Sequence, residues 1–593
     1  MTYRAPVDDL MQALRHGADL DELIADGVLE IDEDTVRAVL EEAGKFGSEV
    51  LDPLNRDGDR TGCRLLEGRV ETPPGWKEAY RQFAAGGWTA LAAAERWGGQ
   101  HLPQVVASAA GEIWNGANLA FGLCPLLTLG AVDALEAEGS AELQRLYLPK
   151  MVAGEWTGTM NLTEPHAGSD LGPLKTRAVR QADGSYRLFG TKIFITYGDH
   201  DMTANIVHLV LARLPDAPAG TRGISLFLVP KYLVGTDGAV LARNDVMVAG
   251  LEHKLGIHAS PTCVMKFGEQ EGAVGYLVGE ENRGLAVMFI MMNAARLAVG
   301  VQGVAVAERA TQLAFAYARE RRQGRAAGDA GDAGADMVPI IKHPDIRRAL
   351  LTMRALTQAA RSICLVTAKH TDVARRAKDA SVRAAAAERV ALLTPVAKAF
   401  ATDIGCEVAS IGVQVHGGMG FIEETGAAQI YRDARILPIY EGTNGIQAID
   451  LVTRKLPLAG GEVVASLLRE LQAIVAGVRA SNRAQFGRMA ERLDAALSAL
   501  EEATRWMAGA HAERADAALA GAAPYLRLFG LTAGGSYLAK AALAAARGGG
   551  EEAEAVTIAR FFAENLATAA PALKDSIVAG ADSVLADAAA LSA

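Results

Sequence analysis

Residues 185–196, SYRLFGTKIFIT, break the texture of a chain that otherwise reads as helix. They are rich in aromatic and β-branched residues, alternate with period two, and follow the Asp183-Gly184 turn, the chemistry of a hairpin strand. NIVHLVLAR (205–213), GISLFLVP (223–230) and CVMKF (263–267) repeat the pattern, with Gly, Pro and Asp between them. A β domain over residues 155–275 is therefore expected inside a mostly α protein. On its N-terminal side, VRAVLEEAGKFGSEVLDPLNR (36–56) and WKEAYRQFAAGGW (76–88) carry apolar residues at three and four spacing, the mark of a helix bundle. On its C-terminal side, LAVMFIMMNAARLAVGVQGVAVAERATQLAFAYARERR (285–322) opens a second, longer-helixed bundle. The reading gives five segments: an N-terminal helical extension 1–75, an α domain 76–154, the β domain 155–275, an α bundle 276–456 and a further helical domain 457–593. The Gly/Ala/Asp run at 326–336 reads as a surface loop.

The 593 residues are half hydrophobic and only 6% aromatic, with a net charge of −11. Abundant Ala favours helix. No basic stripe is present to meet a phosphate backbone, so a nucleic-acid partner is not expected. Five cysteines lie far apart, with neither CxxC nor clustered His, which predicts no metal site and suits a reducing cytoplasm. The apolar runs 119–132 and after Gly284 read as core, and no integral membrane association is expected. Val464, Leu467, Leu468, Leu471, Ile474, Val475 and Val478 form one apolar stripe whose polar face is not strongly basic, which favours packing surface over lipid anchor.

Chemistry concentrates in RDARILPIYEGTNGIQ (432–447). Glu441 follows Ile436, Leu437, Pro438 and Ile439, an apolar setting that raises a carboxyl pKa and suits a general base for a weak carbon acid. By residue type alone it also reads as a surface Glu before a Gly turn. MNLTEPHAGSD (160–170) offers the hydroxyls of Thr163 and Ser169 and free N–H groups near Gly168, fit for an anion or the polar edge of a flavin, or simply a turn. No GxGxxG follows a predicted strand, and no P-loop is present, so a nucleotide cofactor would be held by other means.

TEPHAGSD, GTKIFIT, GVQVHGGMGF and YRDARILPIYEGTNGIQ, in that order, resemble the acyl-CoA dehydrogenase family of flavoenzymes over roughly residues 75–455. The extra ends resemble a longer subgroup that includes enzymes acting on methylthiopropanoyl-CoA and whose members are often dimers. The resemblance implies FAD, an acyl-CoA substrate oxidised to trans-2-enoyl-CoA, and electron-transfer flavoprotein as acceptor. Glu441 matches the base that removes the α-proton, with its backbone N–H and a flavin hydroxyl stabilising the thioester carbonyl. Met160, Leu162, Thr163 and Ser169 match the segment along the flavin ring, Ser169 also lying near CoA. Phe194, Ile195 and Thr196 match the segment behind the ring, Phe194 standing where many relatives have Trp. Thr443 and Gly445 match further flavin contacts. Arg321, Gln414, Val415, His416, Gly417 and Gly418 match positions holding the FAD diphosphate and adenosine of a neighbouring subunit; on its own, Arg321 also reads as a solvated helix-end charge. Asn293 matches a CoA contact, and Arg296 a support of the base loop that needs a carboxylate partner. Two departures fall at the adenosine end: no Phe follows Arg321 in RRQGRAAG, and His343-Pro344 replaces a common His-Gln pair. An acyl-CoA oxidase using oxygen would share the fold, the base and the flavin, and a non-catalytic helical binding protein would share the scaffold.

Overall fold

The computed structural model describes residues 2–325, 336–548 and 552–586. The expected Gly/Ala/Asp loop lies, except for Asp336, outside them. The chain is mostly helical with one inserted β domain, as the period change predicts. Helices run through residues 7–61 and 76–152, strands through 156–278, and helices again from Gly284 onward. A short hairpin, Arg64–Leu66 with Arg69–Glu71, interrupts the N-terminal helices and was not foreseen.

The β domain is an eight-stranded sheet. We number its strands β1 (Trp156–Asn161), β2 (Arg177–Arg180), β3 (Tyr186–Thr196), β4 (Asn205–Arg213), β5 (Ile224–Pro230), β6 (Val246–Leu251), β7 (Thr262–Phe267) and β8 (Ala273–Val278). Their order is β6-β7-β3-β8-β5-β4-β1, with β2 on β3 and β4. Pairing is antiparallel except for β1 with β4 and one bridge of β2 with β4. Alternation sends Trp156, Met160, Val207 and Leu209 to a core shared with helices, and Ile195, Val210, Cys263 and Met265 to a core on the opposite face. Strands covered on both faces explain why β4 and β5 lack polar alternation.

Six helices frame the site: α1 (Gln104–Ala117), α2 (Leu119–Glu138), α3 (Gly284–Glu320), α4 (Pro344–Arg376), α5 (Ala380–His416) and α6 (Ala522–Gly548). Asn118 separates α1 from α2 and caps the latter, accepting from Phe121 N–H at 3.1 Å. α2 and α3 are long and apolar enough to span a membrane, yet their most apolar windows are 78% and 56% buried inside the protein. α3 and α5 pack almost backbone to backbone: a Cβ built on Gly303 would sit 2.4 Å from the Ala401 carbonyl oxygen. Gly303→Ala is therefore expected to cost about 1–3 kcal/mol by forcing these helices apart, read as a lower midpoint in urea unfolding.

The apolar stripe at 464–478 is packing surface, with Val464, Leu467, Leu471, Val475 and Val478 buried. Half-buried ion pairs tie the terminal segments to the bundle. Asp19 accepts from Lys369 of α4 at 2.5 Å and from Lys540 of α6 at 2.6 Å, and Arg527 of α6 donates to Glu407 of α5 at 2.7 Å.

Candidate active site

Residues 435–443 form a tight irregular turn between two short helices, Ala427–Ala434 and Asn444–Asp450. Glu441 and Gly442 hold consecutive left-handed backbones, φ +55° and +85°. A non-Gly residue is uncommon there and costs free energy. Surrounding bonds hold the turn. Asn444 N–H donates to Pro438 O at 2.9 Å, Lys398 Nζ to Gly442 O at 2.9 Å, and Tyr440 Oη to Gln302 Oε1. Gln302 Nε2 donates onward to Asn115 Oδ1 at 3.0 Å, so α1 and α3 both brace the turn. Thr443 caps the following helix, its Oγ1 accepting from Ile446 N–H at 3.3 Å. Thr443→Ala is expected to cost about 1 kcal/mol, seen as a small fall in melting temperature.

Glu441 is half-buried, and burial pushes its carboxyl up to about 7, against the pull of Arg296 and Lys398. A carboxylate of that basicity accepts protons efficiently near neutral pH. Among the described residues, its own N–H donates to no acceptor. Arg296, 5% exposed, lies beside the turn: its Nη2 is 3.7 Å from where a Cβ on Gly442 would stand. The expected carboxylate partner is not in ion-pair contact. Arg296 instead donates to Asn293 Oδ1 at 3.3 Å and feels Asp450 and then Glu441 through space. Its Nε and the Oε1 of Gln447, both buried, have no partner among the described residues.

Met160, Val287, Met291, Ala295 and Val299 share one core, and Leu162 and Tyr440 pack against it, so the end of β1 meets α3 and the Glu441 turn. Just beyond, Thr163 is half-buried and Ser169 exposed. The TEP loop is anchored by Glu164, 3% exposed, which accepts from Lys192 Nζ at 2.9 Å, Lys175 N–H at 2.8 Å and Thr176 N–H at 3.0 Å. On β3, Phe194 has φ +60° and leaves 58% of its surface open, whereas Ile195 is buried and Thr196 half-buried.

A second group lies at the far ends of α3 and α5. Arg321 caps α3 and is exposed, as are Gln414 in the last turn of α5 and Gly417 and Gly418 just past its end, whereas Val415 and His416 are buried. The two helix ends meet through Tyr317 and His416, whose ring centroids are 4.5 Å apart. Cβ atoms on Gly417 or Gly418 would meet nothing within 4 Å. Arg321 lies about 37 Å along α3 from Arg296 at about 1.5 Å per residue, so one chain does not bring the two groups together. Sequence reasoning missed Lys398, Gln302, Asn115 and Asn444. A lone Lys within LLTPVAKAF (392–400) was the available signal for the first.

Known proteins match this architecture. Three family models, for the acyl-CoA dehydrogenase N-terminal, middle and C-terminal domains, match residues 33–155, 159–269 and 282–456, and a fourth, "Acetyl-CoA dehydrogenase C-terminal like", matches 467–587. The chain belongs to the acyl-CoA dehydrogenase family, a family of oxidoreductases. It is 49% identical over 593 residues to 3-methylmercaptopropionyl-CoA dehydrogenase of Ruegeria pomeroyi, covering 99% of each chain. It is 35% identical over 481 residues to a broad-specificity linear acyl-CoA dehydrogenase of Mycobacterium tuberculosis, covering 80% of this chain and 78% of that one. In fold it is similar to Caenorhabditis elegans ACDH-11, solved with C11-CoA (TM-score 0.79, 21% identity, 99% of this chain and 96% of that one). It is similar also to an acyl-CoA dehydrogenase from Bacillus anthracis, solved with FAD (TM-score 0.75, 22% identity, 94% and 90%).

Proposed function

We propose that this chain catalyses the FAD-dependent α,β-dehydrogenation of an acyl-CoA thioester to trans-2-enoyl-CoA, with Glu441 as the base. The observation that carries this reading is the Glu441 turn: a carboxyl with its pKa pushed up to about 7, on strained backbone, beside an N–H that donates to no acceptor among the described residues. Glu441 takes the α-proton of the thioester and becomes the neutral acid, which its surroundings favour. Its N–H is free to donate to the thioester oxygen as negative charge grows there. FAD, when bound, supplies the hydride acceptor for the β-carbon. The residues fit such a group. Phe194 offers an exposed ring on β3, which is tied to β1 and its following loop by Ile193 N–H donating to Thr163 O at 3.0 Å and Thr159 Oγ1 donating to Thr196 O at 3.0 Å; Met160, Leu162, Thr163, Ser169 and Thr196 belong to these segments, and Thr443 and Gly445 follow Glu441. Asn293, Arg296 and Ser169 are assigned to the substrate side.

Arg321, Gln414, Gly417 and Gly418 are assigned to the diphosphate and adenosine of a neighbouring subunit's FAD, which makes the active unit a homodimer. Their distance from Arg296 along α3 and the open space at the paired glycines support this. We also propose the domain division at residues 75, 154, 275 and 456, electron-transfer flavoprotein as acceptor, a role in fatty-acid β-oxidation and a cytoplasmic location; five free thiols fit the last.

The test is an anaerobic titration of the purified yellow protein with 3-methylmercaptopropionyl-CoA and straight acyl-CoAs of graded length, following flavin absorbance. The full-length identity to the Ruegeria pomeroyi protein makes the first thioester the one to try first. Bleaching by a thioester in wild type and not in Glu441→Gln is the expected result. A bound flavin that no thioester bleaches overturns the reading, and rapid turnover with oxygen alone would favour an oxidase.

A further inference from the structure

Lys398 sits in the middle of α5 with no exposed surface. Its Nζ donates to Gly442 O at 2.9 Å and to Asn444 Oδ1 at 2.8 Å. Asn444 passes the load on, donating to Thr402 Oγ1 at 3.0 Å, to Asp403 Oδ1 at 2.7 Å and to Ala399 O at 3.1 Å. The two residues that follow Glu441 at one- and three-residue spacing are thus fastened to one buried ammonium. A hydrophobic side chain would fill that position without the desolvation penalty of a charge. Among the described residues Lys398 makes no ion pair within 4 Å, so its charge is not consumed by a contact. The charged and titratable groups that act on it are Glu441 in the turn, Asp403 and Cys406 on its own helix, and Arg296 on α3, with Glu441 foremost.

We propose that Lys398 is a positioning residue for Glu441: it clamps the left-handed turn through Gly442 and Asn444 and lays a buried positive charge beside the carboxylate, setting the pH at which the base becomes active. The inference rests on Glu441 being the base. Burial brings the Lys398 ammonium down to about 7, the region to which Glu441 rises, so the two groups titrate as a coupled pair. As the carboxylate forms, it favours the ammonium, and the ammonium favours the carboxylate.

Lys398→Met should move the acid limb of the kcat/KM profile upward by about one pH unit and, with the turn unclamped, should also lower the alkaline plateau. Lys398→Arg, which keeps a charge, should leave the limb at or below the wild-type position. The reciprocal measurement needs no turnover. In protein labelled at lysine Nζ, with Lys398 assigned by its loss in Lys398→Arg, the Lys398 midpoint should fall by about one pH unit in Glu441→Gln. A uniform rate loss with an unmoved limb in Lys398→Met would reduce Lys398 to packing and overturn the proposal. So would an unmoved Lys398 midpoint in Glu441→Gln, which decides the matter even if Lys398→Met does not fold. Full activity in Glu441→Gln would instead remove the base assignment itself.

Discussion

Glu441→Gln is expected to lower the rate of substrate-driven flavin reduction by about 10⁴-fold, the upper end of what a positioned general base contributes. Binding of the thioester should change little, because Gln keeps the shape of the side chain and the backbone N–H. Wild-type kcat/KM should rise with pH through about 7 and level off above it, since burial pushes the carboxyl there and only the carboxylate accepts a proton. The residual rate of the variant should lack that limb. Glu441→Asp withdraws the carboxyl by about 1 Å and should cost about 10²-fold. Stability should move the other way. A carboxyl whose folded pKa lies above its unfolded value contributes stability that is fully present below the unfolded pKa and lost as pH rises through about 7. Glu441→Gln removes this dependence, so its melting temperature should exceed that of wild type at pH 8 and not at pH 4. A variant that is both inactive and less stable at pH 8 would point to collapse of the turn instead.

The strands were legible because their signals are local: SYRLFGTKIFIT carries its alternation within a dozen residues, directly after the Asp183-Gly184 turn. The hairpin at 64–71 was not, because RLLEGRVE is short, largely exposed and half charged, a composition that cannot be separated from loop. Glu441 was legible because its apolar surroundings adjoin it in sequence. Its support was not. Tyr440 reaches Gln302 across 138 residues and Gln302 reaches Asn115 across 187, and no periodicity encodes such pairs. Arg296 lies between these cases: an Arg in MMNAARLAVG announces a buried charge, but the expected contact with a carboxylate gives way to Asn293 and to the field of Asp450.

The same reasoning applies to Arg361, alone in the apolar run AARSICLVTA of α4 and 1% exposed. Its Nη2 donates to Glu308 of α3 at 2.9 Å and its Nε to Glu112 of α1 at 3.0 Å, so one guanidinium joins three helices. Both carboxylates are buried too. Burial, with Glu308 and Asp9 nearby, raises Glu112 against the pull of Arg361, while Arg361 and Gln312 hold Glu308 below the usual carboxylate range despite its burial. Arg361→Met, similar in size and without charge, would leave two buried carboxylates facing each other. Breaking a buried pair by removing one partner costs about 3–5 kcal/mol, and that loss is the expected result in urea unfolding at pH 8. Without the guanidinium both folded pKa values would stand above their unfolded values, so the missing stability should return as pH falls toward 5, where protonation relieves the repulsion. The triple variant Arg361→Met, Glu112→Gln, Glu308→Gln should recover most of the loss at pH 8, because no buried charge remains to be solvated. A pH-independent defect, or no recovery in the triple variant, would assign the cost to packing. Since Gln302 of α3 and Asn115 of α1 brace Tyr440 from the same two helices that Arg361 joins, Arg361→Met should also slow the proposed dehydrogenation without moving its acid limb.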